Sequence, residues 1–187
     1  MPLDQAYDAE ARARAARVRL VVFDCDGVLT DGGLVLSDSG EEHKVFNSRD
    51  GQGLVMLRES GIEVAVISGR TSPAVSTRMA DLGIAYVFQG RHDKLATLEA
   101  LLQRLEISAS EMAYMGDDLP DLPPMRRAGL AVAVADAHAL VLRQAHWCTR
   151  RPGGRGAARE LCELILEARG LMAGHLARYL GITGEPP

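Results

Sequence analysis

Two aspartates, Asp24 and Asp26, follow the apolar run Val18-Arg19-Leu20-Val21-Val22-Phe23. In an extended chain alternate side chains share a face, so both carboxylates can converge on one point at the end of the run. A DxD pair alone fits an ordinary polar loop entry equally well. A second acidic group, Met115-Gly116-Asp117-Asp118-Leu119-Pro120-Asp121, also closes an apolar run. Carboxylates there can simply cap a helix N-terminus. Three within five residues nevertheless repel one another, and a divalent cation relieves that. Asp24, Asp26 and Asp117 make an oxygen-rich set suited to Mg²⁺, a hard ion that takes few protein carboxylates and keeps waters. Ile67-Ser68-Gly69-Arg70 adds a hydroxyl and a guanidinium where an anion could sit, and Lys94 heads a helix after Arg91-His92-Asp93. Singly these are a turn serine and a surface lysine. It is their order, each just after a strand or at the next helix start, that points to chemistry on an anion. Lysine is scarce in this chain: of 21 basic residues only Lys44 and Lys94 are lysine, so each merits scrutiny.

These residues need a scaffold that brings strand ends together. After 18–23, short apolar runs recur at 62–67, 85–88, 112–115 and 130–134. Helical patterns lie between and after them at 51–60, 72–82, 93–105, 119–128, 137–144 and 157–168. Strand and helix alternate, which predicts an α/β fold with right-handed crossovers and a doubly wound parallel sheet. Such sheets hold ligands outside the carboxyl ends of their strands. Residues 32–46 break the rhythm: Leu34-Val35-Leu36, a Ser37-Asp38-Ser39-Gly40 turn and His43-Lys44-Val45-Phe46 predict a β-hairpin standing off the sheet. Residues 1–17 read as an N-terminal helical extension outside the main core, 18–170 as the main domain and 171–187 as a C-terminal tail with a mobile tip.

The 187 residues fit one domain. A net charge of −4, with 47% hydrophobic residues, argues against a nucleic-acid or anionic-membrane partner, which needs a clustered positive field. No apolar run approaches the roughly 18 residues of a membrane span. The first residues lack a secretory pattern. Cys25, Cys148 and Cys162 suggest neither a disulfide framework nor a zinc site. A soluble cytoplasmic protein is expected.

In order and spacing, the four elements resemble the haloacid dehalogenase phosphohydrolase superfamily, over about residues 18–134. The resemblance implies a Rossmann-like fold with Asp24 as nucleophile, Asp26 as general acid/base, and Ser68 and Lys94 as phosphate ligands. Mg²⁺ would be held by the Asp24 carboxylate, the Asp26 main-chain carbonyl and Asp117, with Asp118 or Asp121 in support. Members usually carry a cap domain. Here the interval from Asp24 to Ser68 is filled by the hairpin, a helix and a strand, and that from Ser68 to Lys94 by one helix and one strand. Neither leaves room for a cap.

A narrower resemblance rests on Gly40–Gly51, Gly116–Asp121, Val132–Ala137 and Gly153-Gly154-Arg155-Gly156-Ala157. These are similar to the capless 3-deoxy-D-manno-octulosonate 8-phosphate phosphatases. That family implies a homotetramer joined through its hairpins, with Asn47, Ser48, Arg49, Asp50, Gly51, Arg70, Arg78, Lys94 and Asp118 contacting substrate along with Asp26. Val55 stands where some members carry a basic residue. Arg49, Arg70 and Arg78 suit a carboxylate-bearing sugar phosphate, since the guanidinium fork matches a carboxylate. The 153–156 segment reads either as a loop before the last helix or as part of the site mouth. A phosphatase for a sialic-acid-type nine-carbon 9-phosphate, a phosphotransferase passing phosphate to a sugar and a non-catalytic assembly module of the same fold are the alternatives.

Overall fold

The computed structural model describes residues 8–181, so the tip of the tail lies outside the described residues. Its centre is β1 (Leu20–Phe23), four residues buried on both faces. A continuous apolar run of this kind suits a strand covered on both sides. β1 pairs in parallel with β4 (Glu63–Ile67) on one side and β6 (Met112–Gly116) on the other. β5 (Tyr86–Phe88) extends the first side; β7 (Leu130–Ala133) and β8 (Trp147–Cys148) extend the second. The six-stranded order is therefore β5-β4-β1-β6-β7-β8. The chain builds outward from β1 in one direction and then returns to build outward in the other. The reversal opens a crevice at the carboxyl ends of β1 and β6, where doubly wound sheets hold their ligands.

The helices cover both faces. α1 (Ala9–Ala15), α2 (Ser48–Glu59) and α7 (Ala157–Ala168) pack together, while α4 (Lys94–Leu105), α5 (Leu122–Arg127) and α6 (Ala139–Gln144) form a second group. α3 (Pro73–Asp81) links β4 to β5. The hairpin forms as expected, with β2 (Val35–Leu36) antiparallel to β3 (Glu42–His43) in a sheet of its own. No cap domain interrupts the described residues.

Four local features differ from the sequence reading. The expected helix over 119–128 is a 3-10 turn at Leu119–Asp121 followed by α5. Pro120, Pro123 and Pro124 supply no N–H for a continuous ladder, and the Asp121 carboxylate takes the Asp117 and Asp118 N–H groups instead. α1 is not outside the core: Ala11 and Ala15 are fully buried in it. Residues of the expected tail form α8 (Met172–Tyr179). There the His175 ring meets the Ser60 hydroxyl at 2.8 Å, and Arg178 pairs with Glu59 at 2.7 Å. β8 has only two residues and shows no apolar run to betray it.

The loop before α7 is welded to the loop after β1. Gly154 N–H donates to the Val28 carbonyl at 2.8 Å and Gly153 N–H to Asp136 at 2.9 Å. A Cβ on Gly153 would sit 1.7 Å from the Gly27 carbonyl oxygen. Backbone against backbone cannot yield cheaply, so Gly153→Ala should cost about 1–3 kcal/mol, as overpacking does. At about 2–4 °C per kcal/mol for a chain of this size, thermal unfolding should show a midpoint lowered by several degrees. An unchanged midpoint would contradict this packing.

Candidate active site

The register places the acidic residues together. Phe23 lies level with Val66 and Met115, so Asp24 falls level with Ile67 and Gly116. Ser68 and Asp117 follow one residue later. Asp24 N–H donates to the Met115 carbonyl at 3.0 Å, which fixes the start of its loop. Carboxylate oxygens of Asp24, Asp117 and Asp121 lie within 4.8 Å of one another. Two glycines make this possible. A Cβ on Gly27, whose φ is +89°, would lie 2.1 Å from Asp117 Oδ2, and one on Gly116 would lie 2.4 Å from Asp121 Cβ. Only glycine leaves the acids room to approach.

Lys94 closes the cluster from α4. Its buried ammonium lies 2.8 Å from Asp24 Oδ1 and 2.7 Å from Asp121 Oδ1. Burial works against its charge, but Asp24 and Asp121 overcome this and raise its pKa above the ordinary lysine value. Asp121 is saturated: besides Lys94 it accepts from the Tyr114 hydroxyl at 2.9 Å and from Asp117 N–H at 3.1 Å. Burial first, then the Asp121 charge, push the Asp24 carboxyl up to about 6, against the pull of Lys94. Burial, then Asp24 and Asp121, push Asp117 up to about 8. Ser68 is buried beside β5: its N–H donates to the Phe88 carbonyl and its carbonyl accepts from Arg91 N–H, both at 2.9 Å.

Asp26 departs from the sequence reading, which grouped its carboxylate with Asp24 and Asp117. Among the described residues Asp121 takes that place. The Asp26 carboxylate instead contacts the Lys44 ammonium, and Arg70 Nε lies 3.9 Å from its other oxygen. The main-chain carbonyl of Asp26, which the resemblance implicates, is a separate atom that this pairing does not engage. Cys25, between the two acids, points into the core, and burial followed by the Asp26 and Asp24 charges pushes its thiol up to about 12.

The expected substrate contacts divide. Arg70 is exposed and pairs with Glu42. Ser48 and Arg49 are exposed at the start of α2, where the Asn47 side chain accepts from Arg49 N–H at 2.9 Å. Asp118 is exposed ahead of the 3-10 turn. Arg78 lies across α2, with a guanidinium nitrogen 2.3 Å from where a Gly51 Cβ would be. Asp50 is turned inward, its carboxylate accepting from Gly156 N–H at 3.1 Å and Arg159 N–H at 2.8 Å. It caps α7, and its carboxylate holds the 153–156 loop. Three residues at the site were not singled out from sequence as site residues: Lys44, Glu42 and Tyr114. The scarcity of lysine was the signal for the first; Glu42 lies in the 40–51 segment that carries the narrower resemblance, and nothing in the sequence marked Tyr114.

Residues 84–161 match a family model described as haloacid dehalogenase-like hydrolase. The 3-deoxy-D-manno-octulosonate 8-phosphate phosphatase KdsC of Escherichia coli (strain B / BL21-DE3) is 48% identical over 162 residues, covering 87% of this chain and 86% of its own. The chain belongs to this phosphatase family. Among solved family structures, that from Yersinia pestis superposes with a TM-score of 0.88 at 47% identity, covering 89% and 90% of the two chains. The Moraxella catarrhalis phosphatase, in complex with a magnesium ion, a phosphate ion and a KDO molecule, gives 0.90 at 39% identity, covering 92% and 99%.

The donor set in this family member fits a hard divalent cation. Asp117 Oδ1 is buried without a hydrogen-bond partner, an arrangement that is costly unless a cation takes the lone pairs. The acids are all oxygen donors, as Mg²⁺ requires. Without a cation, Asp24 and Asp117 retain protons that the unfolded chain would lose above about pH 4. The folded state then binds more protons than the unfolded state, so stability falls as pH rises from about 4 to about 8. In a chelator, thermal unfolding should therefore show a decline toward pH 8 that Asp117→Asn flattens. Mg²⁺ should raise the wild-type midpoint more at pH 8 than at pH 5. Identical pH profiles for wild type and Asp117→Asn would refute the shifted Asp117.

Proposed function

We propose that this protein is a Mg²⁺-dependent phosphatase that hydrolyses 3-deoxy-D-manno-octulosonate 8-phosphate to the free sugar acid and phosphate, acting in the cytoplasm. The observation that carries the reading is the convergence of Asp24, Asp117, Asp121 and Lys94 at the switch point. The likeness to 3-deoxy-D-manno-octulosonate 8-phosphate phosphatases over most of the chain supplies the substrate.

Asp24 and Asp117 would hold the ion, together with the Asp26 main-chain carbonyl; Asp121 orients them and anchors Lys94. Bound there, Mg²⁺ neutralises charge on the phosphoryl oxygens. Lys94 and Ser68 bind the phosphoryl group and relieve the repulsion an anionic nucleophile meets. The Asp24 carboxylate attacks phosphorus in line, the bond to the sugar oxygen breaks, and the Asp26 carboxyl gives that oxygen its proton. Asp26 then takes a proton from water, whose oxygen attacks the aspartyl-phosphate and returns Asp24. Arg49, Arg70 and Arg78 remain for the substrate's carboxylate and hydroxyls, with Asn47, Ser48, Gly51 and Asp118 lining the approach. Asp50 serves this surface indirectly, through α7.

Phosphate release should be measured over a panel of sugar and sugar-acid phosphates, with Mg²⁺ and with chelator. The expected preference is for the eight-carbon acid phosphate, and chelation should abolish turnover. Asp24→Asn should lower turnover by at least about 10³-fold while leaving thermal unfolding cooperative. A folded Asp24→Asn protein that turns over normally, or a preference for neutral hexose phosphates, would overturn the assignment.

The same reading includes a homotetramer. Leu34, Val35, Leu36 and Val45 are 50–73% exposed on a two-stranded hairpin, and an isolated hairpin of that size is marginal in water. Hairpins from several subunits would cover one another and help close a site that has no cap. Light scattering should return four times the mass of one chain, and Leu36→Asp should lower that mass and the activity together. A fully active monomer would exclude this assembly.

A further inference from the structure

Lys44 is the only lysine besides Lys94, and both reach the site. Its side chain is 1% exposed although it projects from the hairpin, beyond β3. An ammonium is strongly hydrated, and burying it is costly unless charged partners surround it. Two do so here. Its Nζ contacts Asp26 Oδ1 and lies 2.9 Å from Glu42 Oε1. Glu42 Oε2 pairs with the Arg70 guanidinium, whose Nε faces Asp26 Oδ2 at 3.9 Å. The four charges form a closed ring, Asp26–Lys44–Glu42–Arg70, drawn from three segments of the chain. Asp26 follows β1, Lys44 and Glu42 belong to the hairpin, and Arg70 follows β4.

A carboxyl that must deliver a proton to one oxygen and later take one from water works only when it is held at those atoms. Asp26 lies in a loop and its side chain is 20% exposed, so burial alone does not fix it. We propose that Lys44 is a positioning residue for Asp26, holding its carboxylate by direct contact while Glu42, itself paired with Arg70, braces the ammonium. The proposal rests on the assignment of Asp26 as acid/base. It adds that the hairpin, besides shielding the site, sets the aim of the proton donor.

Leaving-group dependence tests this. Full-length wild type, Lys44→Met, Lys44→Arg, Glu42→Gln and Asp26→Asn are assayed with Mg²⁺ on the sugar-acid phosphate, whose leaving oxygen needs a proton, and on 4-nitrophenyl phosphate, whose leaving group does not. Lys44→Met should lower kcat for the sugar-acid phosphate by about 10–100-fold, a part of the roughly 10²–10⁴-fold that general acid–base catalysis contributes, with KM changed less than about twofold. Its rapid first-turnover release of 4-nitrophenol should stay near the wild-type rate. Lys44→Arg should recover part of the lost kcat, and Glu42→Gln should show the same selective loss to a smaller degree. Glu42→Gln carries the test if Lys44→Met fails to fold. Equal losses on both esters, or a raised KM at unchanged kcat, would overturn the positioning role. If Asp26→Asn itself shows no leaving-group dependence, the acid/base assignment fails. If only Asp26→Asn shows it, that assignment stands and the Lys44 inference falls.

Discussion

The repulsion among three carboxylates is the constraint around which this site is built. Asp24, Asp117 and Asp121 sit within 4.8 Å of one another, an arrangement that three free anions in a protein interior would not tolerate. The surrounding groups answer that repulsion. The Lys94 ammonium spans Asp24 and Asp121, and the Tyr114 hydroxyl and two backbone N–H groups satisfy Asp121. Asp24 and Asp117 are left with the burden, their proton affinities raised by burial first and by the neighbouring carboxylates second. Those two acids need a cation, and the protein supplies the rest. Gly27 and Gly116 belong to the same solution, since a Cβ at either position would collide with one of the acids.

Most of the scaffold was legible because its pattern is periodic. β1, β4, β6 and β7 each read as buried apolar runs, and α7 shows its apolar face at Leu161, Leu164 and Ile165 over the same residues, 157–168, that the pattern predicts. Order and spacing also placed Asp24, Ser68 and Asp117 just past strands whose register the sheet determines, and Lys94 at the start of α4. What escaped was set by tertiary contact. Nothing in the composition of 171–187 reveals that a histidine there meets Ser60. Nor does the sequence reveal that Asp121 rather than Asp26 completes the carboxylate cluster, because which way a loop carboxylate turns depends on Lys44, eighteen residues later and on a different element.

Asp50 illustrates the same limit in a residue that was expected to touch substrate. A carboxylate in the first turn of a helix ordinarily serves its own N-terminus. Here it is buried and serves another helix, taking the Gly156 and Arg159 N–H groups at the start of α7. That one side chain joins the 47–51 segment to the 153–156 loop. Asn47 reinforces the joint with a 3.4 Å bond to the Gly154 carbonyl, and Arg155 pairs with Asp31 at 3.2 Å. Of the two readings of the 153–156 segment, these contacts bear on the helix-leading loop. It leads into α7, and it packs on the loop that follows Asp26.

A catalytic loop in a small parallel sheet has its strand on one side and water on the other. Without a cap, what braces it must come from elements already in the chain. The loop after β1 is braced from behind by Gly153 and Gly154, which approach so closely that neither tolerates a side chain. From in front it is met by Lys44 on the hairpin, and from the flank by Arg70. The rear contact is backbone on backbone and therefore rigid. The front contact is ionic and carried by a two-stranded element whose apolar residues are exposed. The two acids are therefore held in different ways: Asp24 is tied to the sheet through its N–H bond to Met115, while the Asp26 carboxylate is met by the ammonium of a hairpin residue.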